Sequence, residues 1–84
     1  MKLYKRYINV LAYFNKEGHM VPRAIIWDDG ISYEVDKVLQ IKQQVHSELG
    51  GNGTSYLCKI GGYERTLFFE RGPINRWFIE SKKP

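Results

Sequence analysis

The chain has one cysteine, Cys58, among 84 residues, so no internal disulfide can form. A secreted domain this small ordinarily carries two or more bridges, so a reducing, cytoplasmic setting is expected. No stretch approaches the ~20 apolar residues that a bilayer span needs, and no membrane partner is expected. The opening Met1-Lys2-Leu3-Tyr4-Lys5-Arg6 has no unbroken apolar run, which reads as the lack of a signal peptide. Histidine is scarce as well. His19 and His46 lie far apart with no cysteine or carboxylate at ligand spacing, and no metal site is expected. The glycine cluster Gly50-Gly51-Asn52-Gly53 lacks the Lys-Ser/Thr pair and the following helix of a phosphate-binding loop. It reads as a flexible loop, and no cofactor is expected.

What is present is aromatic and basic. Six Tyr, four Phe and two Trp make 14% of the chain, which suits a small sheet protein whose buried area comes from large rings. The net charge of +4 is less telling once located. Lys2, Lys5, Arg6, Lys82 and Lys83 sit at the ends, and the body between holds eight bases against nine acids. Terminal lysines of this kind read as solubilising more readily than as a binding face.

One domain is expected over 1–84, with 1–6 and 81–84 frayed. Strand and turn signals fill it. Residues 4–15 alternate, with Ile8, Val10, Ala12 and Phe14 on one face and Tyr7, Asn9, Leu11 and Tyr13 on the other. Asn15-Lys16-Glu17-Gly18 is a turn, and Pro22 fits the start or edge of a second strand. Asp28-Asp29-Gly30 between two apolar runs predicts a tight type I′ hairpin leading into the alternation Ile31, Tyr33, Val35. Residues 54–60 and 63–70 form two strands about the Gly61-Gly62 turn, and Asn75–Glu80 forms the last after Gly72-Pro73. Trp27, Tyr33, Tyr56 and Trp77 are expected in the core.

Residues 36–49 admit two readings. As a strand, Leu39, Ile41 and Val45 continue one face, and a bulge near Asp36 absorbs the slip at Lys37–Val38. As a helix, Asp36 is the N-cap, Val38, Leu39, Val45 and Leu49 make a stripe, and Gly50 is the stop. The strand reading is preferred. The expected fold is therefore mostly β: an antiparallel meander of five or six strands in a strongly bent sheet or SH3-like barrel, with a possible single helix in 36–49.

No catalytic site is legible. Cys58 sits mid-strand between Tyr56 and Ile60 and reads as a buried, inert thiol. Asp29 is explained by its turn, and Glu34 with Asp36 reads as solvated. Two surfaces remain. Tyr7, Leu11, Tyr13, Leu57, Phe68 and Phe78 fall opposite the main core, a large apolar area for a small monomer, which points to self-association or a protein partner. Lys59, Arg65 and Arg76 lie beside Tyr56, Tyr63 and Trp77-Phe78, the pairing with which small β domains stack single-stranded bases. A non-enzymatic interaction domain is expected first, and a nucleic-acid binder second.

The run Ile25-Ile26-Trp27-Asp28-Asp29-Gly30-x-x-Tyr33-x-Val35-Asp36-x-Val38-Leu39, then Gly50-Gly51-x-Gly53 with Tyr56, then Arg76-Trp77-Phe78-x-Glu80, resembles a set of short uncharacterised bacterial β-rich proteins. The resemblance covers most of the chain. It implies a free-standing bacterial β domain and brings no activity, cofactor or site residues.

Overall fold

The structure, a computed structural model, describes residues 2–45 and 52–83. Seven antiparallel strands run β1 (Tyr4–Phe14), β2 (Met20–Ile26), β3 (Ser32–Glu34), β4 (Lys37–Val45), β5 (Asn52–Ile60), β6 (Tyr63–Arg71) and β7 (Arg76–Ser81). They form one sheet in the order β3-β2-β1-β7-β6-β5-β4. Among the described residues there is no helix, and so none long and apolar enough to cross a membrane.

Two adjacent residues curl this sheet. The Val35 amide donates to the Arg23 carbonyl on β2, and the Asp36 amide donates to the Lys59 carbonyl on β5, both at 2.8 Å. Strands β2 and β5 stand near opposite ends of the sheet order, so the chain passes directly from one edge to the other. The result is a strongly curled half-barrel. This change of partner also explains the strand count. The run expected to continue through Asp36 is divided there into β3 and β4, giving seven strands where five or six were expected.

The strand reading of the ambiguous segment holds for Lys37–Val45, and the helix does not form there. Positions 46–49 lie outside the described residues. Two irregularities interrupt β4, neither at Asp36: Val38 pairs with Cys58 and Gln40 with Leu57, leaving Leu39 over between them, and the register shifts again between Lys42 and Val45. Skipping Leu39 puts Val38 and Ile41 on the same inner face as Cys58 and Tyr56. Cross-strand packing of β-branched residues thus overrides the helix preference of Lys and Gln.

The ends expected to fray are paired: Tyr4, Lys5 and Arg6 meet Ser81, Glu80 and Ile79. The Asp-Gly hairpin is also longer than expected. Trp27 donates to the Ile31 carbonyl, Gly30 donates to the Trp27 carbonyl, and Gly30 has φ +84°. That is a three-residue loop closed by a glycine bulge rather than a two-residue type I′ turn. Asn15–His19 repeats the same arrangement, with the Asn15 Oδ1 accepting from the Glu17 and His19 amides. Gly61-Gly62 is the true two-residue turn, both glycines having positive φ. Asn52 and Gly53, expected in a flexible loop, instead open β5 opposite Arg71 and Glu70.

The concave face holds the core. Ile25, Tyr56, Cys58, Leu67, Trp77 and Ile79 are buried together, with Ile8, Val10, Trp27, Val38 and Phe69 packed against them. Two expectations fail at the margins. Phe14 is 73% exposed, because β1 runs past its last partner on β7 at Ile8. Tyr33 is 45% exposed, because short β3 stands at the edge of the sheet.

Candidate functional site

Register fixes which residues share the outer face. Lys5 and Tyr7 on β1 pair with Glu80 and Phe78 on β7, and Phe78 pairs with Phe68 on β6. Three rings therefore form a ladder across three strands. Phe68 and Phe78 stack with centroids 5.0 Å apart and planes 9° from parallel, and Tyr7 meets Phe78 edge-on at 5.9 Å. Both geometries suit the ring quadrupole.

Charge covers the ladder. Lys5 Nζ stands 4.9 Å over the Phe78 ring and reaches across β7 to Glu70 on β6 at 2.5 Å. The Tyr7 hydroxyl donates to Glu70 Oε1 at 3.1 Å and accepts from Arg76, whose guanidinium lies 3.9 Å over the Tyr7 ring. Arg76 also approaches Glu70 at 3.6 Å. The hydrogen bond from Lys5 holds the Glu70 carboxyl below the usual carboxylate range, against the opposing pull of desolvation, and the Tyr7 bond and the positive charges of Lys5 and Arg76 help.

The six apolar residues singled out from the sequence divide into two groups. Tyr7, Phe68 and Phe78 make the ladder, and Leu57 on β5 flanks it diagonally from Phe68. Phe78 is 3% exposed, so its neighbours already cover it. Leu11 and Tyr13 continue the same face of β1 beyond the β7 pairing, opposite Ala24 and Val21 of β2. They are 55% and 44% exposed, and Tyr7 is 39% exposed. The accessible apolar line thus runs along β1.

The three basic candidates do not converge. Arg65 pairs with Cys58 and so belongs to the inner face, whereas Lys59 pairs with Glu64 and belongs to the outer one. Arg76 lies outside as well, engaged with Glu70. Sequence reading missed Lys37, which stands directly opposite Lys59 across the β4–β5 ladder. Two like charges so placed disfavour the pairing; Glu64, opposite Lys59 on β6, offsets part of this, and a bound anion would offset more. Only the register reveals this pair, because Leu39 shifts the phase of β4. Arg6, adjacent to Lys5 and Tyr7 in sequence, faces inward. It stacks 4.5 Å over Trp27 and pairs with Asp28 at 2.7 Å.

Cys58 is fully buried, its thiol directed at the Tyr56 carbonyl at 3.6 Å. Burial pushes its pKa up to about 11, opposite to what a nucleophile needs. Asp36 accepts from the Gly61 amide, and Asp29 from the Ile31 amide, so both serve turns. His19 lies exposed at the end of the first turn, and His46 is outside the described residues. Among the described residues no three of His, Cys, Asp and Glu gather as metal ligands would.

Comparison of the chain with family models, with curated proteins and with solved structures finds no match in any of the three. The functional reading therefore rests on the geometry alone.

Proposed function

We propose that this domain is a non-enzymatic interaction module whose outer face associates with a second copy of the chain. The observation that carries the reading is the line Tyr7, Leu11 and Tyr13, three large side chains on one face of β1, exposed by 39%, 55% and 44%. Such a line, continuous with the Phe78–Phe68 ladder, is apolar area that association would remove from water. A two-fold arrangement would set the same strand of each copy against its mate and shield both at once.

The best probes are Leu11 and Tyr13, since Phe78 is buried and its loss would unsettle the fold. Sedimentation of the wild type is expected to show a dimer or larger species. Leu11→Asp with Tyr13→Ser is expected to give a monomer with an unchanged circular dichroism spectrum. A wild type monomeric at all accessible concentrations would end the self-association reading.

A second reading, single-stranded nucleic-acid binding, is favoured by one observation, the Lys37–Lys59 pair on the same outer face as Phe68 and Leu57. It predicts affinity for mixed-sequence oligonucleotides that falls with salt, the log–log slope steepening by about 0.7 per phosphate contact. Anisotropy titration at two salt concentrations, repeated with Lys37→Gln/Lys59→Gln, tests it. An oligonucleotide affinity that the double variant leaves unchanged would exclude this surface.

A further inference from the structure

The half-barrel is closed at Val35–Asp36, and at its other end the described residues leave a gap. There, between the turn after β1 and the second half of β4, lies a cleft of about 470 Å3. Its apolar lining is largely aromatic, Phe14, Tyr56 and Phe69 with Met20 and Ile41, beside polar groups. Phe14 and Ile41 are 73% and 42% exposed, so this is apolar surface left in water at a concave site. The volume falls within the range of small-molecule pockets, about 300–1,000 Å3.

One charged side chain sets the polarity of the cleft. Arg71 extends from the end of β6, its guanidinium 5.5 Å over the Phe69 ring. One nitrogen donates to Thr54 Oγ1 at 3.1 Å, and that hydroxyl donates to Gln43 Oε1 at 3.2 Å. Thr54 is almost wholly buried, so the chain from Arg71 to Gln43 is anchored in the sheet. The guanidinium is thereby held while its remaining donors stay unused by any of these contacts. No carboxylate among the described residues lines the cleft, whereas Lys5, Arg6 and Arg76 each have one within ion-pair distance. Among the described residues, Arg71 thus differs from these basic residues in standing at a largely apolar cleft with no acid lining it.

We propose that this cleft binds a small aromatic carboxylate, its ring against Phe14, Ile41 and Phe69 and its anionic group on Arg71. A guanidinium fixed by stacking presents its fork to a carboxylate at little entropic cost. The flat ring matches walls that already favour aromatic contacts. The other polar residues lining the cleft, His19, Gln43 and Asn75, include no carboxylate. The site is independent of the outer face, so neither reading depends on the other.

The test uses the full chain with 2-naphthoate and its uncharged analogue 2-naphthalenemethanol, followed by calorimetry and by amide NMR. Naphthoate is expected to bind at sub-millimolar concentration, with shifts gathered on Met20, Ile41, Phe69 and Arg71. Arg71→Gln is expected to weaken naphthoate at least about tenfold, the scale of losing one charge-assisted contact, while changing the alcohol less than about twofold. Phe14→Ala, on the exposed rim, is expected to weaken both ligands and to keep the fold. Naphthoate failing to bind at several millimolar, binding equally to the Arg71→Gln protein, or shifting Tyr7 and Phe78 instead would each overturn the proposal.

Discussion

The Tyr56 hydroxyl donates to the Met20 carbonyl at 2.7 Å, tying β5 to the backbone of β2 across the open end of the half-barrel. These strands are not neighbours in the sheet, and Tyr56 is buried to 3%. The ring does two things at once. It packs on Trp77 at 5.3 Å within the core, and its tip bridges the gap that the strand order leaves.

Tyr56→Phe keeps the ring and removes the bridge. It is expected to lower stability by about 0.5–1.5 kcal/mol, read from urea unfolding. Burial raises the Tyr56 pKa above its ordinary 10.0, although Arg71 pulls it down. The unfolded chain therefore loses this proton first as pH rises past 10, and wild-type stability falls there. The Phe variant should lack that share of the alkaline decline; an identical decline in both proteins would contradict the assignment.

Glu70 gives the opposite dependence. Its carboxyl is held below the ordinary 4.5, chiefly by the hydrogen bond from Lys5. Its contribution is complete above that ordinary value. As pH falls, the unfolded chain takes up the proton first, and the contribution is lost by the time the folded pKa is passed. Glu70→Gln should lower the urea midpoint at pH 7 and narrow its difference from wild type at pH 3. A constant difference across that window would show that the charge of Glu70 is not what stabilises the ladder.

Cys58 should be inert in the folded protein. With the thiol buried and its pKa near 11, a disulfide reagent at pH 8 is expected to release no chromophore until denaturant is added, then one equivalent per chain. Rapid reaction under native conditions would mean that the core opens around β5.

Gly53 is expected to tolerate no side chain. A Cβ there would run into the Phe69 carbonyl on the paired strand, a backbone group that cannot swing aside. Gly53→Ala should cost at least about 2 kcal/mol, measurable as a lowered Tm, since one of the two strands must shift. A neutral outcome would imply that the β5–β6 ladder relaxes freely at that end.

The elements of this fold were legible where local chemistry is decisive. Alternation along Tyr7–Val10, the glycine pair at 61–62 and the β-branched and aromatic residues Ile25, Ile26 and Trp27 specify strands and turns without reference to partners. The apolar residues opposite the core could also be named from the sequence, because the period of a strand fixes the face of each residue. Three features were not legible. The bulge at Leu39 depends on which residues of β4 meet Tyr56 and Cys58. The Asp28–Gly30 loop takes a third residue because Trp27 pairs with Ile31 rather than ending its strand. The pairing of Lys37 with Lys59 follows from that register and not from spacing.

Residue pattern alone dictates that this chain makes strands, which faces of them are apolar, and where most of the turns fall. These follow from backbone dihedrals and a two-residue period, which act over a few positions. The curl of the sheet sets the rest: Val35 and Asp36 bond to strands near its opposite ends, Phe78 is covered while Leu11 and Tyr13 are not, and Arg71 stands at a largely apolar cleft. Each of these depends on contacts between residues far apart in the chain, and such contacts are set by how the whole sheet curls to bury Trp77, Leu67 and Cys58.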